Sequence, residues 1–122
     1  MSNHVDLLNS SSQRRIDHVV EKHSFNSREL DVSKFSTSDR NEIQNIIIEA
    51  LDNNANIRQF DNGRVVREVK MNRIIGTTVS SIETDSIRII SGIGNEILIT
   101  AFPIDSIGKT NLVVSNFFKA RF

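Results

Sequence analysis

Cysteine is absent from this chain, and so are tryptophan and tyrosine. The first absence removes disulfides, zinc–thiolate centres and cysteine nucleophiles in one step, and leaves compartment unreadable from redox chemistry. No apolar run approaches the ~20 residues that a membrane helix requires. The polar opening of Ser2, Asn3, His4 and Asp6 also lacks the apolar region of a secretory leader. A soluble chain is expected, with any export depending on sequence outside it. Charge of one sign is missing too: 15 Lys+Arg balance 15 Asp+Glu. A protein that coats nucleic acid normally carries a strong basic excess, so that class is disfavoured. An enzyme that grips a few phosphates is not, because a small local cluster of cations is sufficient for it.

What is present suits one domain of 122 residues, with 38% hydrophobic content supplied mainly by Ile, Val, Leu and Phe. Residues 1–13 read as an N-terminal segment ending in Asn9-Ser10-Ser11-Ser12, capping chemistry for a helix starting near Gln13. In that helix Ile16, Val19, Val20 and His23 fall at i, i+3, i+4 and i+7, one helical stripe. His23 therefore faces the core or a cleft, and His18 faces outward. A short helical piece is expected around Arg28–Val32. Asp39 then caps a second helix, with Glu42 in the capping-box position. Its stripe of Ile43, Ile46, Ile47, Ala50 and Leu51 should end at Asn53-Asn54.

From Ile57 the pattern turns to strands. Asp61-Asn62-Gly63 joins Ile57–Phe60 and Arg64–Met71 as a hairpin. In the second of these, Val65, Val69 and Met71 share a face with Arg67 among them. Ile74–Val79 is a further strand, interrupted at Gly76. Ile87–Ser91 and Ile97–Phe102 flank the turn Gly92-Ile93-Gly94-Asn95, and Pro103 ends regular pairing or marks an edge. Leu112–Ser115 adds a last strand, with Phe117, Phe118 and Phe122 behind it. Helices before strands imply an α+β fold, with N-terminal helices packed on a curved, mostly antiparallel sheet of four to six strands.

His23 is the first candidate for chemistry, since an imidazole takes up and returns a proton near neutral pH; the alternative is a histidine filling the apolar stripe. Thr100 is read as sharing a strand face with Leu98 and Phe102. It is either a β-forming residue or a hydroxyl donor to a phosphate oxygen. Arg88 is either a solvated sheet residue or a bidentate phosphate ligand. Metal sites are not expected: His18 and His23 are five residues apart, which does not align two ligands on one helical face, and no metal-binding motif occurs. Gly92-Ile93-Gly94 is too short for a dinucleotide fingerprint, and neither a P-loop nor a GxSxG elbow is present. Enzymes that need neither metal nor cofactor remain.

The succession Glu21-Lys22-His23, Val32-Ser33-Lys34-Phe35, Gly63-Arg64-Val65, Ile74-Ile75-Gly76-Thr77, Thr84-Asp85-Ser86-Ile87-Arg88-Ile89 and Ile99-Thr100-Ala101-Phe102-Pro103 resembles a known pattern. It is similar to the C-terminal ribonuclease toxin domains of bacterial contact-dependent inhibition and related polymorphic toxin systems. Within these the barnase/EndoU/colicin/RelE-like group is the closer, and the bacterial ribonuclease A-like toxin domains are the near competitor. The likeness spans roughly residues 14–104 and rests on the order of short segments.

What the resemblance implies is a metal-independent endoribonuclease acting on RNA, with transfer RNA the expected substrate and no cofactor. His23, Lys34, Arg88 and Thr100 would be catalytic, and His18, Arg64, Arg67 and Phe102 would bind substrate. His18 and Lys34 compete for the role of second acid or base. The family frequently has Tyr where this chain has Phe102, so a phenol hydroxyl is missing there. The resemblance also implies delivery as the tip of a larger secreted toxin into a target cell's cytoplasm, a cognate immunity protein, and an open question over a host activating factor. The rival expectation is a non-enzymatic α+β binding module, such as an immunity protein or adaptor. For the nuclease, His23 and Thr100 must face one cleft, with Arg88 or Lys34 nearby.

Overall fold

In a computed structural model the described residues are 5–53, 56–59, 62–92 and 97–106. The chain is α+β. Helix α1 (Ser10–His23) is followed by strand β1 (Lys34–Phe35), helix α2 (Arg40–Leu51), and strands β2 (Asn56–Gln59), β3 (Val65–Lys70), β4 (Gly76–Thr77), β5 (Glu83–Thr84), β6 (Ser86–Ser91) and β7 (Leu98–Ile104). Every described strand pairing is antiparallel.

Both helices begin as their cap residues dictate. The Asn9 side chain accepts a hydrogen bond from the Ser11 amide, and the Asp39 carboxylate accepts from the Asn41 and Glu42 amides. Each cap satisfies amides that lack an intrahelical partner. Below the caps the stripes bury Ile16, Val19 and His23 from α1, and Ile43, Ile46, Ile47 and Ala50 from α2. The expected helical piece at Arg28–Val32 does not form, and that stretch is an irregular connection. Asp31 there has φ 60°, a left-handed conformation that interrupts a right-handed helix.

The strands divide into a four-stranded sheet of order β2-β3-β6-β7 and a three-stranded sheet of order β1-β4-β5. Lys34–Phe35 thus pairs as a strand between the helices, and only Gly76–Thr77 of the stretch 74–79 is a strand. Gly76 is demanded by this packing: a Cβ there would overlap the Lys34 carbonyl oxygen and crowd Phe35 and the Pro103 ring. Pro103 does not end pairing. It lies opposite Ile87 within β7, which runs on to Ile104 as an edge strand of the larger sheet. The segments 93–96 and 112–122, including the expected Leu112–Ser115 strand, lie outside the described residues.

The large sheet has two distinct faces. Val69, Ile87, Ile89, Leu98 and Ala101 join the helix stripes, Phe35 and Ile75 in the main core. Burial of a side chain such as Phe35, fully shielded here, stabilises the fold by about 1.5–3 kcal/mol. Val66, Ile90 and Phe102 form a smaller cluster on the opposite face, with Ile99 and Ile104 against it. A register shift at Ile90/Ser91 separates the two sets on β7, because Thr100 pairs with Ile90 while Leu98 pairs with Ser91. Ile99 is the extra residue of this bulge. Leu98 therefore turns into the main core, and the face shared by Thr100, Ile90 and Phe102 excludes it, contrary to simple alternation.

Candidate functional site

Helix α1 lies along the free edge of β7 and runs in the same direction. Three contacts fix this alignment: the Leu98 amide donates to Ser12 Oγ (3.0 Å), Arg15 Nε donates to the Ile99 carbonyl (2.9 Å), and the His23 ring stacks on Phe102 at 5.2 Å. The helix thereby occupies backbone groups that an edge strand would otherwise leave open. Between the two elements is a cleft of about 300 Å³ lined by Arg15, His18, Lys22, His23, Arg64, Ile99 and Thr100.

His23 occupies the last turn of α1 and is 5% exposed, in a buried stripe with Ser12, Ile16 and Val19. Its Nδ1 lies 2.7 Å from the Ser33 carbonyl oxygen. Only a protonated Nδ1 donates there, so the lone pair of the neutral ring resides on Nε2. Nε2 has no hydrogen-bond partner among the described residues, and none of their buried side-chain nitrogens or oxygens lacks one. Solvent therefore reaches Nε2. Burial holds the His23 pKa below its ordinary value; the Ser33 hydrogen bond opposes this, Lys22 reinforces it and Glu29 opposes it. The imidazole is thus neutral at pH 7, with its basic nitrogen accessible.

Around it the cleft collects positive charge. Arg15, Lys22 and Arg64 line it together with His18, and among the described residues no carboxylate does. The chain as a whole has zero net charge, so this is local segregation of cations. Lys22 and Arg64 form no salt bridge among the described residues, and Arg15 uses only Nε. His18 is on the outer rim, 3.8 Å from the exposed Glu21 carboxylate. Thr100 enters from β7 beside the bulge at Ile99, a backbone device that commonly re-aims side chains next to binding sites.

Four of the residues singled out in the sequence, His18, His23, Arg64 and Thr100, are brought together here. The other four are not among the residues that line the cleft. Lys34 Nζ donates to the Ser27 carbonyl at 2.8 Å. Arg88 donates through Nε and Nη2 to Glu68 Oε2, at 2.9 and 2.6 Å, because Glu68 and Arg88 are opposite one another on β3 and β6. Arg67 is on the core face opposite Ile89, where its Nη1 meets Ser91 Oγ at 3.3 Å; burial lowers its pKa. Phe102 is 7% exposed and presents its ring to His23, at an interplanar angle of 25°. It supports the imidazole from behind, with the Arg88 guanidinium 6.0 Å from its centroid on β6.

Arg15 and Lys22 were not anticipated from the sequence. A signal for them existed: Arg15, His18 and Lys22 stand at i, i+3 and i+7, a second helical stripe beside the apolar one. Among the described residues no cluster of His, Asp and Glu is placed to hold a metal ion, and no helix is long and apolar enough to cross a membrane. No protein-family model, curated protein or solved structure matches the chain.

Proposed function

We propose that the chain is a metal-independent endoribonuclease whose site is the cleft between α1 and β7. One observation carries this reading: an accessible imidazole nitrogen of fixed tautomer and a threonine share a cleft with three cations and, among the described residues, no carboxylate. A phosphodiester is the anion such a site suits, and RNA supplies its own nucleophile.

In the reaction His23 Nε2 takes the proton of the ribose 2′-OH. The 2′ oxygen bonds to the adjacent phosphorus and the bond to the 5′ oxygen breaks, leaving a 2′,3′-cyclic phosphate and a 5′-hydroxyl. Lys22, Arg64 and the Thr100 hydroxyl stabilise charge developing on the phosphoryl oxygens. The second proton, needed by the departing 5′ oxygen, comes from His18. His18 is favoured over Lys34 because it lines the cleft, whereas the Lys34 ammonium is held by Ser27. Phe102 and the Ser33 carbonyl keep the His23 ring in orientation.

The resemblance of the ordered segments to contact-dependent toxin domains supports a biological setting for this chemistry. In that setting the domain is the C-terminal part of a larger secreted toxin, cleaves transfer RNA in a target cell's cytoplasm, and is neutralised by a cognate immunity protein over the cleft.

Purified protein is expected to cleave tRNA in the presence of EDTA, leaving cyclic phosphate ends and sparing DNA. His23→Ala should lower the rate about 10²–10⁴-fold, the range for a general acid–base group, with an unchanged circular dichroism spectrum. Undiminished cleavage by that variant would remove His23 from the site. Absence of cleavage by the wild type, together with healthy growth of cells expressing it, would favour a binding module instead.

A further inference from the structure

The lining of the cleft includes both Arg15 and His23 of α1, and these two positions offer different chemistry. His23 stands at the C-terminal end of α1 and Arg15 two turns earlier, about 12 Å apart along the helix axis. The strand gives an independent measure of the same separation. Arg15 is at the level of Ile99 and His23 at that of Phe102, three residues or about 10 Å along β7. Arg15 cannot swing toward His23 while its Nε holds the Ile99 carbonyl at 2.9 Å. Its terminal amino groups have no partner among the described residues, yet the side chain lines the cleft. A single phosphate group beside His23 does not reach Arg15.

We infer that the groove between α1 and β7 holds an extended nucleic-acid strand, with the scissile phosphate at His23 and a neighbouring phosphate at Arg15. The inference rests on the nuclease reading for the identity of the reacting end. The substrate class is then a single-stranded segment with at least two consecutive phosphates. A mononucleotide or an isolated phosphodiester fills only one end. The fixed Nε leaves a planar pair of donors for a phosphate, a geometry that lysine lacks. Arg15 is a binding residue on this account, with no part in bond making.

Binding of fluorescent deoxyoligonucleotides carrying one or two internucleotide phosphates, followed by anisotropy over a range of salt, tests this directly. These ligands lack the 2′ nucleophile, so affinity is read without turnover. For the wild type the second phosphate should raise affinity about tenfold or more and steepen the salt slope by about 0.7, the single-strand value per phosphate. Arg15→Gln should abolish both increments, whereas Arg15→Lys should keep the salt increment and lose part of the affinity. Equal wild-type affinity for the two ligands, or increments that survive in Arg15→Gln, would overturn the proposal. The wild-type comparison stands even if Arg15→Gln fails to fold. A strand binder with the expected increments but no RNA cleavage would sink the nuclease reading alone. A nuclease indifferent to the second phosphate would sink only this one.

Discussion

Helices α1 and α2 start alike, with an Asx cap and an apolar stripe buried in one core, but they spend their charged residues differently. On α2, Arg40 is tied to α1 through Asp17 Oδ1 at 2.6 Å and the Gln13 carbonyl at 3.0 Å. Glu42 Oε1 accepts from Thr37 Oγ1, and Glu49 pairs with Arg73. Each of these charges has a structural partner. On α1 the stripe of Arg15, His18 and Lys22 faces the cleft, and its two permanent cations have no carboxylate partner among the described residues. The second difference is within the buried stripes: that of α2 is wholly aliphatic, while that of α1 ends in His23. Cations that the fold does not consume set α1 apart as the element on which the proposed chemistry rests.

If α2 is scaffold and α1 is site, variants should separate stability from activity. The largest effect on stability is expected from Ile47→Ala, which empties a fully buried position and should cost about 2–5 kcal/mol. Denaturant unfolding would measure the loss. Cleavage per folded molecule should be unchanged, and a specific loss of turnover would show that α2 takes part in the site.

The next effect concerns the caps. Asp39→Ala removes the acceptor for the Asn41 and Glu42 amides and should cost about 1 kcal/mol, again without altering cleavage of the folded protein. A stability change within error would mean that neighbouring groups or water replace the carboxylate.

These contrasts were unequally visible in the sequence. The stripes of α1 and α2, the Asp39 cap, the inward turn of His23 and the placement of Arg67 among Val65 and Val69 followed from local spacing. The position of Arg88 did not. It depends on Glu68, twenty residues away, falling opposite it across β3 and β6, and register between strands is not written in either one. The bulge at Ile99 was hidden for the same reason, since alternation alone groups Thr100 with Leu98 and only the pairing with β6 parts them. The resemblance gives Lys34 a catalytic role, and its neighbour Ser33 does hold His23. The Ser27 carbonyl, however, takes its ammonium away. Arg15 and Lys22 were legible as a stripe, but their significance depended on knowing that β7 lies beside it.

The smallest expected effect tests the odd residue of the α1 stripe. Burial keeps the folded-state pKa of His23 below its unfolded value of about 6.5. Between the two values the unfolded chain binds more protons than the folded one, so stability rises with pH across that window. The contribution of neutral His23 is present in full above the unfolded pKa and is lost as pH falls through the lower folded pKa. Protonation would also place a cation among Lys22, Arg15 and Arg64 and remove the lone pair from Nε2, so cleavage should decline over the same interval. His23→Asn, whose amide nitrogen takes the place of Nδ1 and can still donate to the Ser33 carbonyl but does not titrate, should unfold with a flatter pH dependence than the wild type. Urea titrations from neutral to mildly acidic pH would measure the two slopes. Equal slopes would mean that His23 meets protons as readily in the folded chain as in the unfolded one, and the distinction between a titrating α1 stripe and an inert α2 stripe would fail.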